Sequence, residues 1–188
     1  MLPPDNQPLD IEVLMERIRR EVIQRRNQAA PAVIPAPSKR YAPGQLLRFG
    51  IDGSAGPYLG SGWALPEPGF QWTDGEVAEL DFTFEKIPGD LVLSFTVNPL
   101  TGAGIETQEV SALWNDTFVG RWTIRENTTY HTLILAQSSE NPLPASRLKF
   151  KIPTSFSPIS KGLGADPRRL GLAFTELVLR PAHDLGFQ

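Results

Sequence analysis

Four tryptophans, two histidines and a scatter of carboxylates are the side chains in this sequence whose chemistry could amount to a function. Trp63 and Trp72 bracket ALPEPGFQ in a loop-rich segment; Glu67 precedes Trp72, and Asp74-Gly75 follows it at once. Sugar rings carry apolar C–H faces that stack on tryptophan, while nearby Asp, Asn, Gln or Arg groups bind the hydroxyls. Core packing is the simpler reading for each of the four tryptophans, and Trp114 and Trp122 occupy the two arms of one predicted hairpin. Trp72 stands apart, because a large ring is set among polar neighbours.

Catalytic arrangements are missing from the pattern. His131 falls on a predicted strand and His183 near the end of the chain, and neither belongs to an H-x-H or H-E-x-x-H spacing that would hold a metal. With no cysteine in the chain, thiolate nucleophiles, disulfides and cysteine metal sites are excluded. No serine sits in a G-x-S-x-G elbow. Glu79 and Asp81 lie on the polar side of a strand as solvating residues, although glycosidase carboxylates meet in space and not in sequence, which keeps an enzyme as a third reading. The glycine-rich run GIDGSAGPYLGSGW (50–63) lacks the G-K-[ST] and following helix of a phosphate loop and reads as surface loop. The triplets at Asn115 and Asn127 match the glycosylation pattern by chance, since no secretory signal precedes them. No catalytic residue, cofactor or metal is expected.

The whole chain sets wider bounds. Its 188 residues leave room for one domain and an appendage, and 40% apolar with 21% charged residues suits a globular protein. A net charge of −3 removes the case for nucleic-acid binding, which needs a basic face. The first residues lack a basic start and apolar core, and no run reaches the ~20 apolar residues of a membrane span. The protein is expected to be soluble and cytoplasmic as synthesised, with later display on a particle or assembly left open.

Three segments would position the candidate residues. In residues 9–26, Ile11, Leu14, Met15, Ile18 and Val22 recur at three- and four-residue steps, the stripe of an amphipathic helix. Asp10 and Glu12 suit its first turn and Arg25 and Arg26 its last. Such a stripe docks on the domain or a second copy, or on a protein partner; a membrane surface is the remaining alternative, disfavoured because the polar face mixes Glu with Arg. Residues 28–44, with Pro31, Pro35, Pro37 and Pro43 among alanines, read as an extended linker. The resulting domains are 1–27 (docking or oligomerisation helix), 28–44 (linker), 45–182 (β-sandwich) and 183–188 (tail).

From Leu46 onward the period becomes two. Ala78, Leu80, Phe82 and Phe84 alternate with Glu79, Asp81 and Thr83; after Pro88-Gly89-Asp90, Leu91, Leu93, Phe95 and Val97 alternate with Ser94 and Thr96. The two runs predict a hairpin. TQEVSALW and TFVGRWTI flank Asn115-Asp116, a pair that tolerates the positive φ of tight hairpins. Leu148, Phe150 and Ile152 form another inward set. Leu170, Leu172 and Phe174 are out of phase with Leu177 and Leu179, which predicts a bulge near Thr175. The fold expected is all-β, an antiparallel β-sandwich or jelly roll of about eight strands behind an N-terminal amphipathic helix and Pro-rich linker.

The runs GWALPEPGFQWTDG (62–75), IPGDLVLSFTVNPL (87–100) and DPRRLGLAFTELVLRP (166–181) resemble a family of carbohydrate-binding-module-like β-sandwich domains associated with bacterial glycosyltransferases and surface-polysaccharide biosynthesis. The resemblance spans residues 46–181 with the three landmarks in order. It maps the family motif onto Trp63, Glu67, Trp72, Asp74, Gly75, Asp166, Arg168 and Arg169, and departs from it at Gly69-Phe70-Gln71. It implies carbohydrate association through Trp63, Glu67, Trp72, Asp74 and Arg168, while Glu67 and Arg168 could equally pair to build the fold.

The reading is a non-catalytic module binding bacterial polysaccharide, tethered by its helix to a larger assembly. Its rivals are a structural or adaptor subunit, such as a spike or decoration protein that could homo-oligomerise, and an accessory to a polysaccharide-active enzyme.

Overall fold

The computed structural model describes residues 39–87, 89–136 and 145–185. The expected helix over 9–26, with Ile11, Leu14, Met15, Ile18 and Val22, lies outside the described residues, as does the linker up to residue 38. Among the described residues nine strands form two antiparallel sheets: β1 (Leu47–Arg48), β2 (Gln71–Asp74), β3 (Val77–Phe82), β4 (Leu91–Pro99), β5 (Gln108–Trp114), β6 (Thr117–Ile124), β7 (Thr128–Ile134), β8 (Ser146–Lys151) and β9 (Leu170–Pro181). The first sheet runs β1-β9-β4-β7, and β2 lies beside β1 on the same edge of β9. The second runs β3-β8-β5-β6.

The period-two pattern sorts residues to the two faces as expected. Leu80, Phe82, Leu93, Phe95, Leu148, Phe150, Leu172 and Phe174 all enter one core between the sheets. Phe95 of the first sheet meets Phe150 of the second with ring centroids 5.2 Å apart, and Phe150 lies 5.0 Å from Phe174. Each aromatic ring so buried removes enough apolar surface from water to stabilise the fold by about 1.5–3 kcal/mol.

The bulge is where the phase slip requires it. Thr96 pairs with Glu176 and Val97 with Phe174, so Thr175 is the extra residue. It lets Phe174 and Leu177 both point inward along one strand. The hairpin at Asn115-Asp116 also forms, with φ of 48° and 62° at the two turn residues.

Two expectations are corrected. The runs 78–84 and 91–97 are not a hairpin: β3 pairs with β8 in one sheet, and β4 pairs with β7 and β9 in the other. The segment between them crosses the sandwich and buries Phe84 and Ile87 on the way. Equal alternation in two strands fixes which side chains face inward, and a crossing between sheets satisfies it as well as a turn does. The sandwich also takes in the last residues read as linker. Tyr41 is buried in the core, and its hydroxyl donates to the Gln45 carbonyl while accepting the Leu179 amide at 2.8 Å. Burial of that hydroxyl raises its pKa above the usual tyrosine range.

Candidate functional site

Residues 63–73 fold back on themselves. Trp63 bridges Thr73, the Ala64 amide donates to the Trp72 carbonyl at 3.0 Å, and Glu67 and Phe70 close a turn over Pro68-Gly69. Proline at the second position and glycine at φ +82° at the third are what a type II turn demands. The turn lies directly on Gly50, where a Cβ would come within 2.8 Å of the Gly69 and Phe70 amide nitrogens. The glycine-rich run read as plain surface loop is therefore a seat for this turn.

The fold-back sends its two tryptophans in opposite directions. Trp63 packs inward, 5.2 Å from Phe49 and 5.1 Å from Phe174 between centroids, and its Nε1–H donates to the Glu79 carbonyl at 2.7 Å. It is a partly buried member of the core edge, with its N–H already committed. Trp72 pairs with Ala173, and its neighbours Gln71 and Thr73 are buried. Alternation therefore places the Trp72 ring on the outer face of the first sheet, partly exposed and outside the core cluster. Phe70 meets it edge-on at 6.0 Å and 84°. Ala173, next to it, is small, and the following residue in that row, Asn98, is exposed and polar.

The remaining candidates hold this segment in place. Glu67 and Arg168 come together, but onto each other: Arg168 Nη1 and Nη2 both donate to Glu67 Oε1 at 3.3 Å. Asp166 receives the other donors, Arg168 Nη2 at 2.6 Å and Nε at 3.1 Å. The Arg168 side chain, then its backbone N–H, holds the Asp166 carboxyl below the usual carboxylate range, while Asp166 and Glu67 push the guanidinium above its own. Asp74 Oδ1 accepts the Arg169 amide at 3.0 Å. Arg169 reaches Glu76 at 2.6 Å and the Ser155 carbonyl at 3.1 Å. The carboxylates and arginines of the family-like segments thus form a joint between the fold-back and the start of β9, from which Trp72 projects.

Elsewhere the polar groups are engaged structurally. On the outer face of the second sheet, Arg147 bonds Asp81 at 2.7 Å and Glu79 at 3.1 Å, so these carboxylates are neutralised across β3 and β8. His131 Nδ1 lies 2.7 Å from Ser94 Oγ on neighbouring strands. Trp114 is buried, and Trp122 packs against Phe95 at 5.1 Å. Among the described residues no cluster of three or more His, Cys, Asp or Glu side chains could hold a metal ion, and no helix is long and apolar enough to cross a membrane.

Comparison with known proteins gave no matching family model and no matching curated protein. Solved structures that resemble the chain include the C-terminal CBM6 of LamC, a marine laminarinase from Zobellia galactanivorans, at 9% identity, covering 73% of this chain and 100% of that one with a TM-score of 0.42. A family 35 carbohydrate-binding module from an environmental isolate has 9% identity, coverage of 73% and 93%, and a TM-score of 0.38. The carbohydrate-binding module CBM36 in complex with calcium and xylotriose has 10% identity, coverage of 71% and 92%, and a TM-score of 0.35.

Proposed function

We propose that the sandwich is a non-catalytic glycan-binding module whose platform is the Trp72 ring, and that the amphipathic segment of residues 1–27 tethers it to a larger assembly. The observation that carries this reading is the position of Trp72. A large indole is held on the outer face of a sheet by a joint of ion pairs, with Phe70 edge-on to it and the small Ala173 and polar Asn98 beside it. Keeping such a ring partly in water gives up the stabilisation its burial would bring, and stacking on a sugar face recovers it in the complex. Asn98 and the Asp74 carboxylate supply groups for hydroxyls. Bacterial surface polysaccharide is the glycan class the sequence resemblance suggests.

A glycan-array screen of the full chain, with Trp72→Ala as control, tests the proposal. Binding that disappears in a still-folded Trp72→Ala protein is the expected result; an array with no signal from folded wild-type protein removes the reading.

A structural or adaptor role is favoured by a different observation. Phe118, Leu133 and Leu135 are exposed along the adjacent edges formed by β6 and β7, where Thr132 Oγ1 donates to the Val119 carbonyl at 2.6 Å. Sedimentation of the full chain decides between the two, since a scaffold built on that edge associates without any glycan.

A further inference from the structure

We propose that a cleft beside Trp72 is a second sugar subsite, so that the module binds neutral oligosaccharides in preference to single sugars and to anionic glycans; this inference rests on the glycan-binding reading above. The cleft encloses about 350 Å³ between the end of β1, the glycine-rich loop and the bulge of β9, and its wall includes Arg48, Asp52, Gly69, Thr175 and Glu176. Binding pockets for small molecules begin at about 300 Å³, so the space suits a group the size of one sugar ring.

Its place follows from register. Arg48 pairs with Glu176 and Trp72 with Ala173, both on the same edge of β9, and both side chains point away from the core. Because Thr175 is bulged between them, the two pairs lie opposite Thr96 and Asn98 of β4, two residues or about 7 Å apart at about 3.4 Å per residue. Gly69, in the cleft wall, belongs to the turn that brings Phe70 against Trp72. Platform and cleft therefore share a wall, and one short oligosaccharide lying along the edge of β9 reaches both. The bulge contributes directly, because Thr175, the unpaired extra residue, lines the cleft.

The chemistry of the wall suits hydroxyls. Arg48 offers only donors, and Asp52 and Glu176 as carboxylates offer only acceptors. A sugar hydroxyl can answer both. Arg48 and Glu176 approach to 3.7 Å with side chains 70% and 45% exposed, too far apart for a hydrogen bond and free to take other partners. Charge excludes the anionic alternative. The cleft holds one cation and two carboxylates, and the neighbouring joint of Glu67, Asp166 and Arg168 adds another excess negative charge. Arg168 is already occupied by two carboxylates. A uronate or sulfate would meet like charge at both places.

The test is calorimetry on the full chain with xylo-, cello- and manno-oligosaccharides from mono- to hexasaccharide, and with oligogalacturonates as the anionic counterpart. Expected is affinity that rises with length for a neutral series, with oligogalacturonates bound at least about tenfold more weakly. Asp52→Ala, on an exposed loop, and the shape-conserving Glu176→Gln should each cost about tenfold for the longer ligands, as loss of a hydrogen bond to a charged group does, while leaving the shortest bound ligand unaffected. Trp72→Ala should abolish all binding. Trp72-dependent binding that is indifferent to Asp52→Ala and Glu176→Gln, or that favours oligogalacturonates, overturns the subsite and leaves the platform standing. Wild-type protein that binds none of these sugars overturns the subsite, while the glycan array alone decides the platform.

Discussion

Glu67 and Arg168, 101 positions apart in the chain, meet at 3.3 Å, and Asp166 takes up the remaining face of the guanidinium. This contact ties the turn that carries Phe70 to the segment leading into β9. About a third of each of the two side chains is exposed, so solvent screens the pair, and its worth is about 1 kcal/mol or less. Arg168→Gln removes this pair and the 2.6 Å contact with Asp166 together, and should lower the urea-unfolding free energy by about 1–2 kcal/mol. Its larger effect should be local, with faster amide exchange at Gly69 and Phe70 and weaker glycan binding; unchanged exchange there would show that Gly50 alone seats the turn.

The same joint has a pH dependence of defined sign. The Asp166 carboxyl is held below the usual carboxylate range, first by the Arg168 side chain and then by its backbone N–H. A depressed folded pKa gives stabilisation that is complete above the unfolded value, about pH 4, and is lost as pH falls through the folded value. Asp116 behaves likewise through Lys149, 2.8 Å away. Stability should be level from neutrality down to about pH 4 and decline below it, and the decline should be shallower in Arg168→Gln. A decline that is equally steep in the variant would assign the acid sensitivity elsewhere.

The two tryptophans of the fold-back should separate stability from binding. Trp63→Ala removes an inward ring packed on Phe49 and Phe174, and with it the indole hydrogen bond to a Glu79 carbonyl that keeps the Gly60 amide, at a cost of about 3 kcal/mol. Trp72→Ala leaves the core untouched and should change stability by about 1 kcal/mol or less. Urea unfolding of both variants reads the contrast, and equal losses would place Trp72 among the fold's supports.

Deleting Thr175 should be far more damaging than substituting it. The bulge is what allows Phe174 and Leu177 to share the core. Without it, residues 176–181 shift by one and turn Leu177 and Leu179 to the outer face. Loss of a cooperative unfolding transition is expected for the deletion, and a near-native transition for Thr175→Ser.

Ala103 adopts φ of +51° in the turn that follows β4 and is exposed. An L-residue held there costs about 1–2 kcal/mol relative to its preferred regions, and glycine avoids that cost at some loss of chain entropy. Ala103→Gly should stabilise the fold by about 0.5–1 kcal/mol, measured as a raised urea midpoint at unchanged slope.

Much of this architecture was legible in the chain. Strict alternation through Leu80, Phe82, Phe95 and Phe150 names the inward side chains, because a strand's geometry leaves no other way to bury them. The broken phase between Phe174 and Leu177 announces the bulge at Thr175, and Asn115-Asp116 announces a turn with two positive φ angles. The polar surroundings of Trp72 set it apart from the other tryptophans.

Neighbours were another matter. The pairing of β3 with β8 and of β4 with β9, the crossing through Phe84 and Ile87, and the entry of Tyr41 into the core all depend on contacts between residues distant in sequence. So do the opposite orientations of Trp63 and Trp72, which share one segment and one composition. So does the closure of Arg168 onto Glu67, and so does the meeting of Arg48, Asp52 and Glu176 around a cleft. The sequence by itself determined which residues face inward, since that follows from a local period of two. Only the tertiary structure decided which strands lie side by side and which polar groups converge, since those are set by the packing of one whole sheet on another.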